Sequence, residues 1–219
     1  MNFTSVAAAA MLVLVSVTPA FCQGIQQAVR DGDLQAVGIL LKSAPDVVFD
    51  KDSHGQTPLH VAAYTGQTEM AELLLANKAD ANAADNYGST PLHLAARAGR
   101  RDLAELLITN KADVNARDKD GWTPLHFTAV GDDKLEAVDK MAIEKLLLDH
   151  NADVNIKANG GYTPLHFAAS WGARDKAELL LAHNADVSAR DNKGETPLHV
   201  VGWRDREGVA ELLRRHGAR

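Results

Sequence analysis

The tetrapeptide Thr-Pro-Leu-His occurs five times, at 57–60, 90–93, 123–126, 163–166 and 196–199, with successive starts 33, 33, 40 and 33 residues apart. A repeat of that period constrains the architecture more than any other feature of the chain. Each copy is a supersecondary unit too small to enclose a core, so the units must stack and bury their apolar faces against one another. The whole unit reads D-x-x-G-x-T-P-L-H-x-A-A-x-x-G, then a leucine run, then A-D-x-N.

The physics of a unit can be read from one copy. Thr90 is a good helix N-cap, and Pro91 suits the first helical position, where no backbone donor is needed, so a helix is predicted to start at Pro91. Gly99 stops it after about two turns by taking the left-handed conformation. A second helix follows at once, with Leu103, Leu106 and Leu107 at i, i+3 and i+4 on one face. From Ala112 to Gly121 the chain is rich in Asp, Asn and Gly, as a projecting turn requires. Helices this short do not form alone in water, which makes stacking obligatory.

The remaining copies repeat the design. The Leu-Leu pair recurs as Leu73 and Leu74, Leu106 and Leu107, Leu146 and Leu147, Leu179 and Leu180, and Leu212 and Leu213. At the position of Leu103 stand Met70, Ile143, Lys176 and Val209; Lys176 is the charged exception, expected to lay its stem on the apolar surface and keep its head in water. Residues 25–40 carry the two-helix pattern without Thr-Pro-Leu-His and read as an N-terminal capping pair. Arg204, Arg206, Arg214, Arg215 and Arg219 put charge where a further unit would have packed, as a C-terminal cap should. Seven extra residues enter between the third and fourth tetrapeptides, where Leu135, Val138 and Ala142 prolong the apolar stripe. They read either as a second helix lengthened by two turns from an Asp132 or Asp133 cap, or as a partner-specific ridge over 131–140, and the two are compatible.

The period and the Thr-Pro-Leu-His core resemble the ankyrin repeat over roughly residues 24–219. The resemblance implies an all-α ankyrin-repeat solenoid of six stacked helix-turn-helix pairs with projecting β-hairpin-like fingers. Its parts would be a capping pair at about 24–50, repeats at about 51–83, 84–116, 117–156 and 157–189, and a C-terminal repeat or cap at 190–219. It also implies that the repeat histidines His60, His93, His126, His166 and His199 hydrogen-bond backbone between neighbouring fingers. One departure concerns the end of the second helix, where the family has Gly before A-D. Here stand Lys78, Lys111, Asn151 and Asn184, and only finally Gly217. If that backbone is left-handed, the lysines cost roughly 1 kcal/mol each and the asparagines less.

Residues 1–22 contain no charged side chain; an apolar stretch of 12 residues, 6–17, is followed by Pro19 and the triplet Ala20-Phe21-Cys22. That is the outline of a secretory signal peptide, too short for a comfortable membrane span, with the mature domain at 23–219 and no membrane insertion after cleavage. Cys22 is the only cysteine; cleavage after it removes it with the leader, whereas cleavage after Ala20 or a lipid anchor through Cys22 would keep it. The expected location is the bacterial periplasm or the extracellular medium.

A net charge of -6 suits neither duplex DNA nor an anionic membrane. Stacked helices hold the five repeat histidines about 10 Å apart, so they cannot share an ion that needs bonds of about 2 Å. His150, His183 and His216 lie near ends of second helices and His54 lies in the first finger. The recurrent Asp80, Asp113, Asp153 and Asp186 of A-D-x-N are explained by turn chemistry. No nucleophile, zinc, phosphate-loop or dinucleotide motif is present. The chain is therefore read as having no catalytic, metal or cofactor-binding residues.

The three Tyr and three Trp carry the functional signal. Tyr87 precedes a finger glycine, Trp122 and Tyr162 follow one, and Tyr64, Trp171 and Trp203 lie at the end of the first helix or its equivalent. All six fall at positions that ankyrin repeats leave variable and turn toward partners. Aromatic residues of this kind dominate binding hot spots, although Trp122 and Tyr162 also suit packing between adjacent fingers. Interleaved charges of both signs give the surface no simple sign. The expected function is non-catalytic binding of a protein partner by a monomer, through the concave finger and first-helix surface. The alternatives are a secreted effector docking on a host protein and a structural spacer.

Overall fold

The computed structural model describes residues 19–130, 134–202 and 206–219. The apolar stretch of the expected leader, the Asp132 or Asp133 cap, and Trp203 lie outside them. Helices α1 (Pro19–Asp31) and α2 (Leu34–Ser43), with a short 3-10 turn at Pro45–Phe49, form the N-terminal pair. Four pairs follow: α3 (Pro58–Thr65) with α4 (Thr68–Ala76), α5 (Pro91–Arg97) with α6 (Arg101–Thr109), α7 (Pro124–Ala129) with α8 (Lys134–Asp149), and α9 (Pro164–Trp171) with α10 (Arg174–Ala182). Helix α11 (Arg206–Arg215) ends the stack. First helices pack on first helices and second on second along the chain, so the core is a continuous seam between two layers. Among the described residues there is no strand, and no helix is long and apolar enough to cross a membrane.

Each of α3, α5, α7 and α9 starts at its Pro with Thr as N-cap, and His at the third helical position completes a reciprocal capping box. An imidazole nitrogen there accepts from the cap's backbone N–H, as a Glu carboxylate does in the usual form. Burial is concentrated on the seam: Leu74, Leu107, Leu147, Leu180 and Leu213, the second leucine of each pair, are inaccessible. Each such side chain contributes about 1.5–3 kcal/mol relative to exposure.

Neighbouring units are also stitched by polar ladders. In the fingers, Asn86, Lys119, Asn159 and Asn192 donate their N–H to the carbonyls of His54, Tyr87, Asp120 and Gly160 at 2.9–3.1 Å. Asn82, Asn115 and Asn155 each accept from the N–H of the next unit's Asp113, Asp153 or Asp186 at 2.7–2.8 Å, and each donates to a carbonyl of that unit. The Asp of A-D-x-N closes its own turn, as expected: Asp80, Asp113 and Asp153 accept from the N–H two residues on at 2.8–2.9 Å. At the N-terminal end Gln26, in register with the repeat histidines, stands in for the missing one, and its Nε2 donates to the Gln56 carbonyl at 2.8 Å.

The insertion lengthens a helix. Helix α8 has 16 residues where α4, α6 and α10 have 9, a difference of about two turns. The left-handed backbone also occurs where the sequence placed it: Lys78, Lys111, Asn151 and Asn184 have φ of 70, 66, 64 and 66°. Lys78→Gly and Lys111→Gly are each expected to raise the melting temperature by a few degrees, since relief of about 1 kcal/mol of side-chain strain outweighs the added chain entropy. Unchanged or lower midpoints in a thermal scan would show that the strain is absorbed elsewhere.

Two expectations require correction. The sixth helix pair lacks its first member, since residues 197–200 form turns. There Val201 and Gly202 stand where the other units have Ala62-Ala63, Ala95-Ala96, Thr128-Ala129 and Ala168-Ala169, and a β-branched residue followed by glycine is poorer in a two-turn helix than two alanines. Gly202 also diverts the chain by donating its N–H to the Ala169 carbonyl at 3.0 Å, so close to the end of α9 that a Cβ would collide with the Ser170 carbonyl. The second correction is Lys176, which does not snorkel: it is 4% exposed. The cause is Glu144 on α8, fully buried where the other units have Ala71, Ala104, Ala177 and Ala210. Neither carboxylate oxygen of Glu144 has a hydrogen bond, and burial pushes its pKa up to about 8 against the opposing field of Lys176. A buried acid in one unit and a buried base in the next thus replace two apolar contacts across the α8–α10 interface.

Candidate functional site

The repeat histidines are committed to structure. In His60, His93, His126 and His166, Nδ1 accepts from the Thr N–H at 3.0–3.1 Å. That acceptance fixes the proton on Nε2, which donates to the carbonyls of Ser89, Trp122, Tyr162 and Glu195 in the next finger at 3.0–3.2 Å. Burial lowers the pKa of all four, that of His126 to about 4. His199 keeps the Thr196 contact, and among the described residues no carbonyl of a further finger accepts from its Nε2. Among the described residues no three of His, Cys, Asp and Glu converge as a metal site.

What is left for recognition is the set of positions that differ from unit to unit. Four rings meet at the roots of the third and fourth fingers. Trp122 lies 4.5 Å from Phe167 and 5.1 Å from Phe127, centroid to centroid, and Tyr162 lies 5.7 Å from Phe167. His126 and His166 back this cluster at 5.7–6.1 Å. All four rings are half-buried, so each packs on its neighbours with one side and meets solvent with the other.

Phe127 and Phe167 were not singled out from the sequence. They follow directly on the repeat histidine, where the other units carry Val61, Leu94 and Val200, and that change from aliphatic to aromatic was the available signal. The fourth finger departs from the others as well. Asp52, Asp85, Asp118 and Asp191 each accept two N–H groups of their own finger at 2.8–3.0 Å, and Ala158 replaces this carboxylate in the finger that carries Tyr162.

The other candidates stand apart from the cluster. Tyr87 at a finger tip is 65% exposed, Tyr64 is 50% and Trp171 is 38%. The Arg97 guanidinium of the next unit covers the Tyr64 ring at 5.5 Å, and Arg100 Nε donates to the Tyr64 carbonyl at 3.3 Å. Among the described residues the surface therefore presents an aromatic cluster around Trp122 and Tyr162, and the exposed rings of Tyr64, Tyr87 and Trp171 outside it.

A family model described as ankyrin repeats (3 copies) matches residues 25–118, 110–191 and 145–219, which together run without a gap from Ile25 to the C-terminus. The chain belongs to the ankyrin-repeat family. Ankyrin-repeat relatives match it over shorter stretches. It is 35% identical over 72 residues to protein phosphatase 1 regulatory subunit 27 of Mus musculus, covering 33% of this chain and 46% of that protein. It is 42% identical over 55 residues to ankyrin repeat domain-containing protein 13C-A of Xenopus laevis, covering 25% and 10% respectively. The match to human ankyrin repeat domain-containing protein 35 is 41% over 61 residues, or 28% of this chain and 6% of that protein. The chain spans less than half the length of each of these relatives. Ankyrin repeats generally mediate protein–protein interaction, and in this one the repeat histidines, leucines and finger asparagines are engaged within the solenoid.

Proposed function

We propose that this ankyrin-repeat protein is an exported, non-catalytic interaction module that docks a partner protein on its concave finger and first-helix surface, in the periplasm. The carrying observation is the division of labour between residues. Those that are constant from unit to unit are engaged inside the solenoid, whereas large exposed rings, Tyr64, Tyr87 and Trp171, stand at positions that change. A rigid stack presents such rings with little ordering entropy to lose on binding. The charge-free stretch at 1–22 supports export. One relative is by name a regulatory subunit of a phosphatase, which favours an enzyme as the partner here, held or inhibited by surface contact.

The test is capture with residues 23–219 as bait, run separately on envelope, secreted and cytosolic fractions of the source organism, with the mass of the native chain measured alongside. A specific partner from the envelope and a native chain that begins at residue 23 support the proposal. A partner found only in the cytosol, or a native chain that retains its first residues, contradicts the periplasmic assignment. No partner in any fraction leaves a spacer as the better reading.

A further inference from the structure

We propose that Asn159 is a modification site: its side-chain amide deamidates spontaneously to aspartate and isoaspartate, and the conversion uncouples the third finger from the fourth. The site needs no partner protein, so it stands apart from the interaction reading above. Deamidation is an attack by the backbone nitrogen of the following residue on the Asn side-chain carbonyl carbon. Glycine in that place speeds it, because the missing Cβ leaves the nitrogen open to close approach. Asn-Gly occurs once in the chain, at Asn159-Gly160.

The deciding observation is the state of the attacking nitrogen. In the other fingers the equivalent N–H is tied to the finger carboxylate: Asp52 takes it from His54, Asp85 from Tyr87, Asp118 from Asp120 and Asp191 from Lys193, at 2.8–2.9 Å. Ala158 has no carboxylate to offer, and among the described residues no acceptor pairs with the Gly160 N–H. The two Asp-Gly pairs, which could cyclise by the same attack, have their N–H engaged. Gly32 donates to the Val29 carbonyl at 3.0 Å, and Gly121 donates to the Asp118 carbonyl at 2.9 Å. Only the Gly160 nitrogen, of these three, attacks without first giving up a hydrogen bond. Asn159 is also exposed, so water has access to the reacting bonds.

In the reaction the Gly160 nitrogen bonds to Asn159 Cγ, its proton passes through solvent to Nδ2, and the Cγ–Nδ2 bond breaks to release ammonia and leave a succinimide. Water then opens the ring. Addition at Cγ gives aspartate, and addition at the backbone carbonyl gives isoaspartate, with the main chain rerouted through the side chain. Asn159 carries three bonds between fingers: its N–H donates to the Asp120 carbonyl at 2.9 Å, its Nδ2 to the Lys119 carbonyl at 2.8 Å, and its own carbonyl accepts from Asn192 Nδ2 at 2.9 Å. Either product replaces the Nδ2 donor by a carboxylate oxygen that faces the Lys119 carbonyl, acceptor against acceptor. Isoaspartate also lengthens the main chain by a methylene and shifts the other two bonds. The Nδ2 bond restrains the side chain beforehand, so attack follows local opening of the finger.

The experiment compares the parent chain with Ala158→Asp, which puts back the carboxylate of the other fingers. Both are incubated at neutral pH, folded and in concentrated urea, and the peptides containing Asn86, Asn159 and Asn192 are followed by mass spectrometry. Circular dichroism melting establishes that both start folded. In the folded parent Asn159 is expected to convert ahead of Asn86 and Asn192, and Ala158→Asp to slow it about tenfold or more, because the nitrogen must then leave a carboxylate before it attacks. In urea the two chains should convert Asn159 at similar rates, and the converted parent should unfold at a lower urea midpoint than the fresh one. An Asn159 that stays intact in the folded parent while it converts in urea overturns the inference. So does conversion no faster than at Asn86 and Asn192, or an Ala158→Asp effect that is absent when folded or equally large in urea. A converted chain with an unlowered midpoint overturns the uncoupling.

Discussion

Replacing His93 by leucine is expected to lower stability by about 1.5–4.5 kcal/mol and to split unfolding into two transitions. Leucine fills the space but leaves the Thr90 N–H without an acceptor and takes one of two donors from the Trp122 carbonyl, which keeps the Asp118 N–H at 2.9 Å. The orphaned N–H costs about 1–3 kcal/mol and the lost bond about 0.5–1.5 kcal/mol. Because a solenoid holds together through nearest-neighbour interfaces, the damage falls between two units and uncouples the halves on either side. His199→Leu should cost distinctly less, since among the described residues no finger carbonyl accepts from His199 Nε2. Urea unfolding of both variants checks this, and equal losses would contradict the inter-finger role.

The same rings set the acid limit of the fold. Burial holds His60, His93, His126 and His166 below the usual 6.5, so between the folded and unfolded values the unfolded chain binds more protons. Their contribution is complete above about pH 6.5 and is lost as pH falls through the folded values, which for His126 means down to about 4. Each ring contributes at most about 1.4 kcal/mol per pH unit in that window. His93→Leu should therefore show a shallower acid loss than the parent chain.

The second large effect is a gain. Glu144→Met with Lys176→Leu, which restores apolar residues of similar volume at the α8–α10 interface, is expected to stabilise the chain by about 1–4 kcal/mol. Lys176→Leu alone should destabilise it above about pH 8, where the ionised carboxylate is left buried without its positive neighbour. Glu144 has a folded pKa raised from 4.5 to about 8, so its contribution is fully present below about pH 4.5 and is lost as pH rises through about 8. The advantage of the double variant should accordingly widen between pH 5 and pH 8.5, a range chosen to span that window. A midpoint that is unchanged, or lower at every pH, would show that the pair holds the two helices in register and that this is worth more than desolvation costs.

Most of the scaffold was legible because each unit repeats its own instructions. Thr-Pro starts a helix in four units, Gly or a left-handed Lys or Asn stops the helices, and the leucine spacing gives the buried face in all five. The sequence reading failed where a unit departs from its siblings. Lys176 read as a snorkelling side chain because Glu144 was not compared with the alanines at its position in the other units. The last first-helix was lost to Val201 and Gly202 in place of two alanines and to the close approach of Gly202, a tertiary contact that periodicity does not encode. Gln26 escaped notice as a histidine substitute because its role depends on the Gln56 carbonyl 30 residues away. The candidate site was partly legible. Trp122 and Tyr162 were found from their variable positions, but the phenylalanines that join them became visible only when two first helices were laid side by side.

The most direct measurement is the dissociation constant of the captured partner for the parent domain and for the Tyr64→Ala, Tyr87→Ala, Trp171→Ala variant, with the urea midpoint of each recorded on the same samples. Affinity lower by about thirtyfold or more, at a midpoint little changed, is the result the proposed docking surface predicts, because these rings are exposed. Undiminished affinity at an unchanged midpoint would contradict it, placing recognition away from the positions that vary between units.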